Sequence, residues 1–222
     1  MDRVYLDNNA TTMVDPQVSA VMTEFETKKY GNPNSLHSFG MEVRKPMEKA
    51  LDQLYKGLNA SDEDNIIING CATEGNNTVL KDVLFDRILG EGKKKKVLIS
   101  SVEHPSVFNT AAYMGKMGAE VITLPVNEDG IVTLNILKEY LVPEETALVS
   151  VMWANNETGL IFPVKEMAEY CRAAGVPFHT DAVQAIGKIP VDLQDVPADY
   201  LTFSAHKFHG PKGVGGLYVR KG

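Results

Sequence analysis

A lysine that directly follows a strand-like stretch is the residue in this sequence with the clearest chemical potential. Lys207 comes three residues after Ser204, at the end of the mainly apolar run Tyr200–Phe203. At the edge of a sheet its amine would be partly desolvated, which lowers the amine pKa and makes the neutral, nucleophilic form available. A neutral amine forms a Schiff base with an aldehyde. A lone lysine is more often a surface residue, so the interpretation depends on its neighbours.

A carboxylate and an amide follow another strand-like stretch. Asp181 comes after Val176–Thr180, and Gln184 lies three residues further on. The carboxylate is suited to pairing with a protonated ring nitrogen, and it could equally cap the next segment. One helical turn separates the two side chains, so both can face the same space.

The segment Gly70–Asn76 has the pattern of an anion-binding turn. It joins the β-branched run Ile66–Ile68 to a predicted helix through small residues. Backbone N–H groups and the dipole of a helix N-terminus attract an anion there, and the Thr73 hydroxyl could add a hydrogen bond. Thr73 and Glu74 could also be local capping residues.

Two further segments carry side chains that could contact a ligand. His104 can stack on an aromatic ring or transfer protons, although a lone histidine is more often structural. Asn155 and Asn156 follow an apolar strand and could bind a ligand or form a turn.

The elements that must position these residues alternate between strands and helices. The predicted strands are Ile66–Ile68, Val97–Ser101, Val121–Leu124, Ala147–Met152, Pro177–Thr180, Tyr200–Phe203 and Gly216–Val219. The predicted helices are Pro16–Lys28, Ser38–Gly57, Gly75–Leu89, Ser106–Met117 and Val164–Ala174. This alternation predicts an α/β fold with a mostly parallel central sheet flanked by helices. Ligands bind at the carboxyl ends of such strands, where all the candidate residues lie.

Three local signals refine the helices. Asp15 and Pro16 are typical of a helix start, Gly57 predicts a helix end, and Pro46 predicts a kink or break.

Composition excludes several classes of protein. The formal net charge of -7 argues against a nucleic-acid-binding protein, which needs a basic face. The two cysteines, Cys71 and Cys171, form no CxxC pair, so no disulfide framework or zinc site is predicted. Neither a signal peptide nor a membrane-spanning run is visible, and we expect a cytoplasmic protein that associates with no membrane.

Seven motifs in order give the chain a family resemblance. They are YLDNNATT (5–12), YGNPNSLH (30–37), CATEGNN (71–77), SVEHP (101–105), VMWANNETG (151–159), FHTDAVQAIGKIPVD (178–192) and TFSAHKFHGPKGVGGLYVR (202–220). Together they resemble the NifS-like cysteine desulfurases of the class-V aminotransferase superfamily, which are enzymes of fold type I that depend on pyridoxal 5'-phosphate (PLP).

The resemblance implies a role for each candidate residue. Lys207 would hold PLP covalently, and Asp181 would bind its ring nitrogen. His104 would stack on the ring and assist proton transfer. Gln184 and Asn156 would lie near the phenolic oxygen, with Asn156 also near the substrate carboxylate. The residues implied to hold the phosphate are Ala72, Thr73, Ser204 and His206.

The resemblance also implies a reaction and partners. L-Cysteine would be converted to L-alanine, and its sulfur would pass to an enzyme cysteine as a persulfide for iron–sulfur cluster assembly. A homodimer and an iron–sulfur scaffold protein as sulfur acceptor are expected. Residues 15–222 would form the PLP-binding large domain, incomplete here, and residues 1–14 would pack with a small C-terminal domain that this chain lacks.

The sequence departs from the family in its nucleophile. The family's cysteine lies on a loop beyond position 222, and neither Cys71 nor Cys171 matches it. Cys71 is expected to be a small packing residue, and Cys171 a core residue. The chain alone would therefore be inactive. The alternatives are a selenocysteine lyase, a class-V aminotransferase, or a non-catalytic PLP-binding fragment.

Overall fold

A seven-stranded mixed sheet forms the centre of the molecule. The computed structural model describes residues 3–222. The strands are β1 (Asn65–Asn69), β2 (Lys96–Ser100), β3 (Glu120–Leu124), β4 (Thr146–Ser150), β5 (Phe178–Asp181), β6 (Tyr200–Ser204) and β7 (Gly215–Val219). Their order is β1-β7-β6-β5-β4-β2-β3. The five strands from β6 to β3 in this order are parallel, and β7 is antiparallel to both β1 and β6. The mostly parallel α/β fold predicted from the sequence is confirmed.

Helices cover both faces of this sheet. The helices of the described residues are α1 (Pro16–Thr27), α2 (Ser38–Leu58), α3 (Ala72–Asp82), α4 (Pro105–Lys116), α5 (Leu134–Tyr140) and α6 (Val164–Ala173). Helix α1 has no buried residue and covers neither face. A π-helical segment, Val83–Glu91, continues α3, and a 3₁₀ turn, Ala205–Lys207, follows β6.

Alternation along the strands creates two separate cores. In β2, Val97 and Ile99 belong to one buried cluster and Leu98 to the other, because successive side chains point to opposite faces. The first cluster packs against α3 and α4, and the second against α6. Every residue of β4 is buried, as expected for a strand covered on both faces.

The topology reverses direction between β2 and β4. From β2 the chain crosses through α4 to β3 on one side, whereas from β4 it crosses through α6 to β5 on the other. The two crossover helices therefore lie on opposite faces of the sheet. The loops that leave β2 and β4 diverge and open a crevice at their carboxyl ends, the usual place for a ligand in this fold class.

Some predicted boundaries were wrong for identifiable reasons. Helix α2 does not end at Gly57 but continues to Leu58, and Asn59 adopts the left-handed conformation at its C-cap. It also continues through Pro46 without a break. Helix α3 begins at Ala72 instead of Gly75, because the small residues of the turn are already helical. The short helix α5 was not predicted.

No helix within residues 3–222 combines the length and the apolar character that crossing a bilayer requires.

Candidate functional site

A cleft of about 550 Å³ lies at the carboxyl ends of the parallel strands. The structure brings every residue singled out from the sequence for cofactor binding to this one cleft. These residues are Ala72, Thr73, His104, Asn156, Asp181, Gln184, Ser204, His206 and Lys207. Segments separated by more than a hundred positions in the sequence thus meet, because parallel strands end at the same edge of the sheet.

Lys207 lies on the 3₁₀ turn after β6, with its side chain partly buried. Its Nζ donates a hydrogen bond to the main-chain oxygen of Asn9. Burial lowers the pKa of the Lys207 amine, while the charges of Asp181 and Asp7 act in the opposite direction. The amine is therefore closer to its neutral, nucleophilic form than a surface lysine would be.

Asp181 ends β5 and is buried at the base of the cleft. Its two oxygens accept hydrogen bonds from Asn76 Nδ2 at 2.8 Å and from the main-chain nitrogen of Val183 at 3.0 Å. Burial raises the pKa of the Asp181 carboxyl, and both hydrogen bonds oppose this effect, as do the charges of His104 and Lys207. The capping and ligand-binding interpretations are compatible, because the carboxylate closes its own turn while facing the cleft.

Asn76 is a positioning residue that sequence reasoning missed. Its side chain is fully buried in α3 and also bonds Ser106 Oγ and Thr202 Oγ1, at 2.9 and 2.6 Å. A polar residue on the sheet-facing side of a helix was the available signal, since such a residue needs a partner when buried.

Gln184 is fixed on the side of the cleft nearest the N-terminal segment. Its Nε2 donates to the main-chain oxygen of Asn9 at 3.0 Å, and its Oε1 accepts from Lys188 Nζ. The amide is therefore oriented by two partners, neither of which the sequence analysis identified.

The N-terminus of α3 forms the opposite end of the cleft. The main-chain nitrogen of Ala72 donates to Ser204 Oγ at 2.8 Å, which joins α3 to the end of β6. Glu74 Oε2 accepts from the main-chain nitrogen of Gly70, one residue before the N-cap Cys71, so Glu74 closes the turn that leads into the helix. Thr73, in the first turn, faces the cleft. The first N–H groups of a helix lack intrahelical partners and favour an anion.

His206 lines the cleft and is bonded to the N-terminal segment. Its Nδ1 is 3.1 Å from Thr11 Oγ1. Burial and the neighbouring Lys207 lower the pKa of His206, so its ring is held largely neutral at physiological pH and acts through hydrogen bonding.

His104 has both a structural and an exposed side. Its Nδ1 accepts from the main-chain nitrogen of Ser106 at 3.1 Å and caps α4. The ring lines the cleft, where its face is available to an aromatic ligand.

The two adjacent asparagines have different roles. Asn155 is buried, and its Oδ1 accepts from the main-chain nitrogens of Glu157 and Thr158 at 2.8 and 2.9 Å, so it builds the turn. Asn156 lines the cleft instead.

An N-terminal strap, residues 7–15, crosses the cleft mouth. Asn9 contacts Lys207 and Gln184 through its main-chain oxygen, and its Nδ2 donates to the main-chain oxygen of Asn156 at 3.0 Å. Thr12 bonds the main-chain oxygen of His206 through its own nitrogen at 2.8 Å. The sequence analysis missed the strap, because contacts across almost the whole chain leave no local pattern.

The cysteines differ in environment. Cys171 is fully buried, and burial raises the pKa of its thiol to about 12, which confirms it as a core residue. Cys71 is half-buried at the N-cap of α3 and lines the cleft. Within residues 3–222, no cluster of three or more histidine, cysteine or acidic side chains could hold a metal ion.

Comparison with known proteins agrees with this arrangement. The class-V aminotransferase family matches the chain over residues 4–222. The chain is 44% identical over 222 residues to the cysteine desulfurase NifS of Azotobacter vinelandii, covering 100% of this chain and 54% of that protein. It is 41% identical over 220 residues to the cysteine desulfurase IscS of Clostridium botulinum (strain Kyoto / Type A2), covering 99% and 54%. The chain thus spans about half the length of these curated relatives.

Solved structures show the same fold. A NifS-like protein superposes with a TM-score of 0.92 at 45% identity, covering 100% of this chain and 60% of that one. SspA in complex with cysteine gives a TM-score of 0.91 at 30% identity, covering 99% and 62%.

Proposed function

The chain belongs to the class-V aminotransferase family, and we propose that the protein is a cysteine desulfurase that works with PLP. The observation that carries the proposal is the convergence of Lys207 and Asp181 on one cleft that is closed at its far end by a helix N-terminus. The identity with NifS, 44% across the chain, supports cysteine as the substrate.

The residues of the cleft fit PLP in type and position. A pyridinium nitrogen needs a buried anion, and Asp181 supplies one held by two hydrogen bonds. An aldehyde needs an amine of lowered pKa, and Lys207 supplies it. A phosphate needs donors, and Thr73, His206 and the α3 N-terminus all line the cleft. His104 would cover a face of the ring, and Gln184 and Asn156 would bound its phenolic edge.

In the proposed reaction each residue has a defined task. Bound PLP supplies an electron sink for the substrate's Cα. Lys207 takes and returns the proton at Cα, which its lowered pKa favours. Asp181 keeps the ring nitrogen protonated through its negative charge. His104 holds or delivers a proton near the substrate sulfur, and Asn156 orients the substrate carboxylate.

We propose that the cysteine that accepts the sulfur corresponds to a position in the part of the relatives that this chain does not match. The buried Cys171 thiol, whose pKa burial raises to about 12, is unsuited to attack on sulfur, because the thiolate is the nucleophile. Transfer of the sulfur to an iron–sulfur scaffold protein is part of the same proposal.

A homodimer is supported by exposed apolar residues beside the cleft. Phe85 and Tyr113, 55% and 43% exposed, line a shallow hollow that shares Thr73 and His104 with the cleft. Apolar side chains next to a polar site favour coverage by another protein surface.

The first test is covalent PLP binding by the 222-residue chain. We expect a visible absorption band on adding PLP, and borohydride should fix PLP onto Lys207, as read by peptide mass spectrometry. Lys207→Ala should abolish the band and the labelling. Lys116→Ala, which changes an exposed lysine at the far end of α4, should leave both intact.

Labelling spread over surface lysines, or retained in Lys207→Ala, would refute the assignment. With the full-length protein, release of alanine from L-cysteine supports a desulfurase. Preference for L-selenocysteine, or amino transfer to a keto acid, would instead indicate a selenocysteine lyase or an aminotransferase.

A further inference from the structure

Glu103 is a buried carboxyl with no role in the function described so far. It precedes His104 and is only 6% exposed. Its Oε1 accepts hydrogen bonds from Ser100 Oγ at 2.8 Å and from the main-chain nitrogen of Met152 at 2.7 Å. Its Oε2 is buried without a hydrogen-bond partner among residues 3–222.

The carboxyl lies where two neighbouring strands separate. The β2–β4 pairing ends with Ile99 opposite Ser150, and the chains then leave toward opposite faces of the sheet. The main-chain N–H of Met152 lies beyond the last residue pair of β2 and β4. It donates to Glu103 Oε1 instead of to a main-chain carbonyl. A second link, from Asn155 Nδ2 to the main-chain oxygen of Val102 at 3.3 Å, joins the same two loops.

Both joined loops carry walls of the cleft. One loop contributes His104, and the other contributes Met152, Ala154 and Asn156. The distance between His104 and Asn156 across the cleft therefore depends on the Glu103 carboxyl, because this group joins the two loops. Loss of this link would leave a buried N–H unpaired and free the loops to separate.

The surroundings of Glu103 favour a neutral carboxyl, whereas the hydrogen bonds of Asp181 favour an anion. Both oxygens of Asp181 accept hydrogen bonds, and the charges of His104 and Lys207 favour its ionised form. Glu103 has one oxygen without a hydrogen-bond partner among residues 3–222, and it faces the charge of Asp181. Burial, followed by the charge of Asp181, raises the pKa of Glu103 to about 8, although the bonds from Ser100 and Met152 oppose the shift. Two adjacent buried carboxylates rarely both ionise.

We propose that Glu103 is an uncharged positioning residue, a protonated clasp that holds the His104 loop against Met152–Asn156 and leaves the negative charge beneath the cleft on Asp181. The consequence for PLP rests on the proposed function, whereas the clasp and its protonation do not. A neutral Glu103 joins the two loops and leaves Asp181 as the anion that faces the proposed ring nitrogen of PLP.

The test compares Glu103→Gln with Glu103→Leu. Glutamine is neutral and retains an Oε1 that can accept both hydrogen bonds, whereas leucine fills the space without an acceptor. Hydrogen exchange at the Met152 amide should stay slow in Glu103→Gln and accelerate at least tenfold in Glu103→Leu. PLP affinity should likewise be preserved in the first variant and fall about tenfold in the second.

Protonation is tested by thermal unfolding without PLP between about pH 5 and pH 8. The unfolded glutamic acid loses its proton near its ordinary pKa of 4.5, whereas folded Glu103 keeps it to about 8. Wild-type stability should therefore fall relative to Glu103→Gln as pH rises through this window. Glu128→Gln, at an exposed position, should run parallel to wild type throughout.

Two results would overturn the proposal. A difference between wild type and Glu103→Gln that does not change with pH would mean that Glu103 is ionised. Equal rates of amide exchange at Met152 in wild type and Glu103→Leu would mean that Glu103 does not hold the two loops together. Neither readout needs PLP, so a failure to bind PLP would count against the proposed function alone.

Discussion

Two lysines contact Asn9 at the cleft, one through its main chain and the other through its side chain. Lys207 Nζ donates to the main-chain oxygen of Asn9, while Lys188 Nζ contacts Asn9 Oδ1 at 3.3 Å and the side-chain oxygen of Gln184. Burial, together with the like charge of Lys207, lowers the pKa of Lys188. Because Lys188 occupies Gln184 Oε1, the amide must turn its NH₂ group toward Asn9 and the cleft.

We predict that Lys188→Met weakens PLP binding about three- to tenfold without loss of covalent attachment to Lys207. The amide of Gln184 would lose the partner that fixes its orientation, and the loss is moderate because Lys188 is exposed. The measurement is a PLP titration followed by visible absorption. Lys116→Met is the matched control, and an affinity equal to wild type would show that Lys188 does not orient Gln184.

At the scale of elements, Gly75 determines how closely α3 approaches the sheet. A Cβ added at Gly75 would meet Thr202 Cγ2 at 2.8 Å and Asn69 Nδ2 at 3.1 Å. This approach lets the next residue, Asn76, reach Asp181 and Thr202. The helical glycine at position 57 meets nothing within 4 Å.

A pair of glycine-to-alanine variants tests this docking. Gly57→Ala should stabilise the protein by about 0.5–1 kcal/mol, since alanine is the better helix former. Gly75→Ala should destabilise it by about 1–3 kcal/mol through overpacking. Urea unfolding of both variants gives the comparison. If Gly75→Ala is as stable as Gly57→Ala, α3 can shift outward without cost and the close approach is not required.

The sequence predicted elements wherever local chemistry was sufficient. The apolar run that contains Ala147–Ser150 could be assigned to a buried strand, and Asp15 before Pro16 to a helix start. Gly57 was predicted to end α2, whereas the helix continues to Leu58 and Asn59 takes the left-handed conformation at its C-cap. Helix α5 has a single fully buried side chain, Leu137, which is too little periodicity to recognise.

The residues of the candidate site also fall into those that local sequence could predict and those that it could not. Residues that follow strands, such as Asp181 and Lys207, could be assigned to one sheet edge because parallel strands share it. The contacts of Asn9 with Lys207 and Gln184 join positions 198 and 175 residues apart. Such contacts depend on the completed fold and leave no trace in local spacing.

At the scale of the whole molecule, a buried histidine in the sheet makes the stability of the protein depend on pH in the acid range. His179 in β5 is fully buried, with Nδ1 at 2.8 Å from Ser150 Oγ and Nε2 without a partner among residues 3–222. Burial lowers the pKa of His179 to about 3. An unfolded histidine binds a proton near its ordinary pKa of 6.5, so stability from this residue is present above 6.5 and lost as pH falls toward 3.

We therefore predict that His179→Asn is less sensitive to acid than wild type. Relative to the variant, wild type should lose up to about 3 kcal/mol between neutral pH and pH 4. Urea unfolding at a series of pH values measures the difference. His209→Asn changes an exposed histidine and serves as control, and parallel wild-type and His179→Asn curves would contradict the prediction.

The strap has a consequence for the order of events during synthesis on the ribosome. Thr12 is made 194 residues before its partner His206. The large loop between them must close against chain entropy, after β5 and β6 have joined the sheet. The strap should therefore stay protease-sensitive on the nascent chain until the Lys207 turn has emerged, and the cleft mouth cannot close before that point.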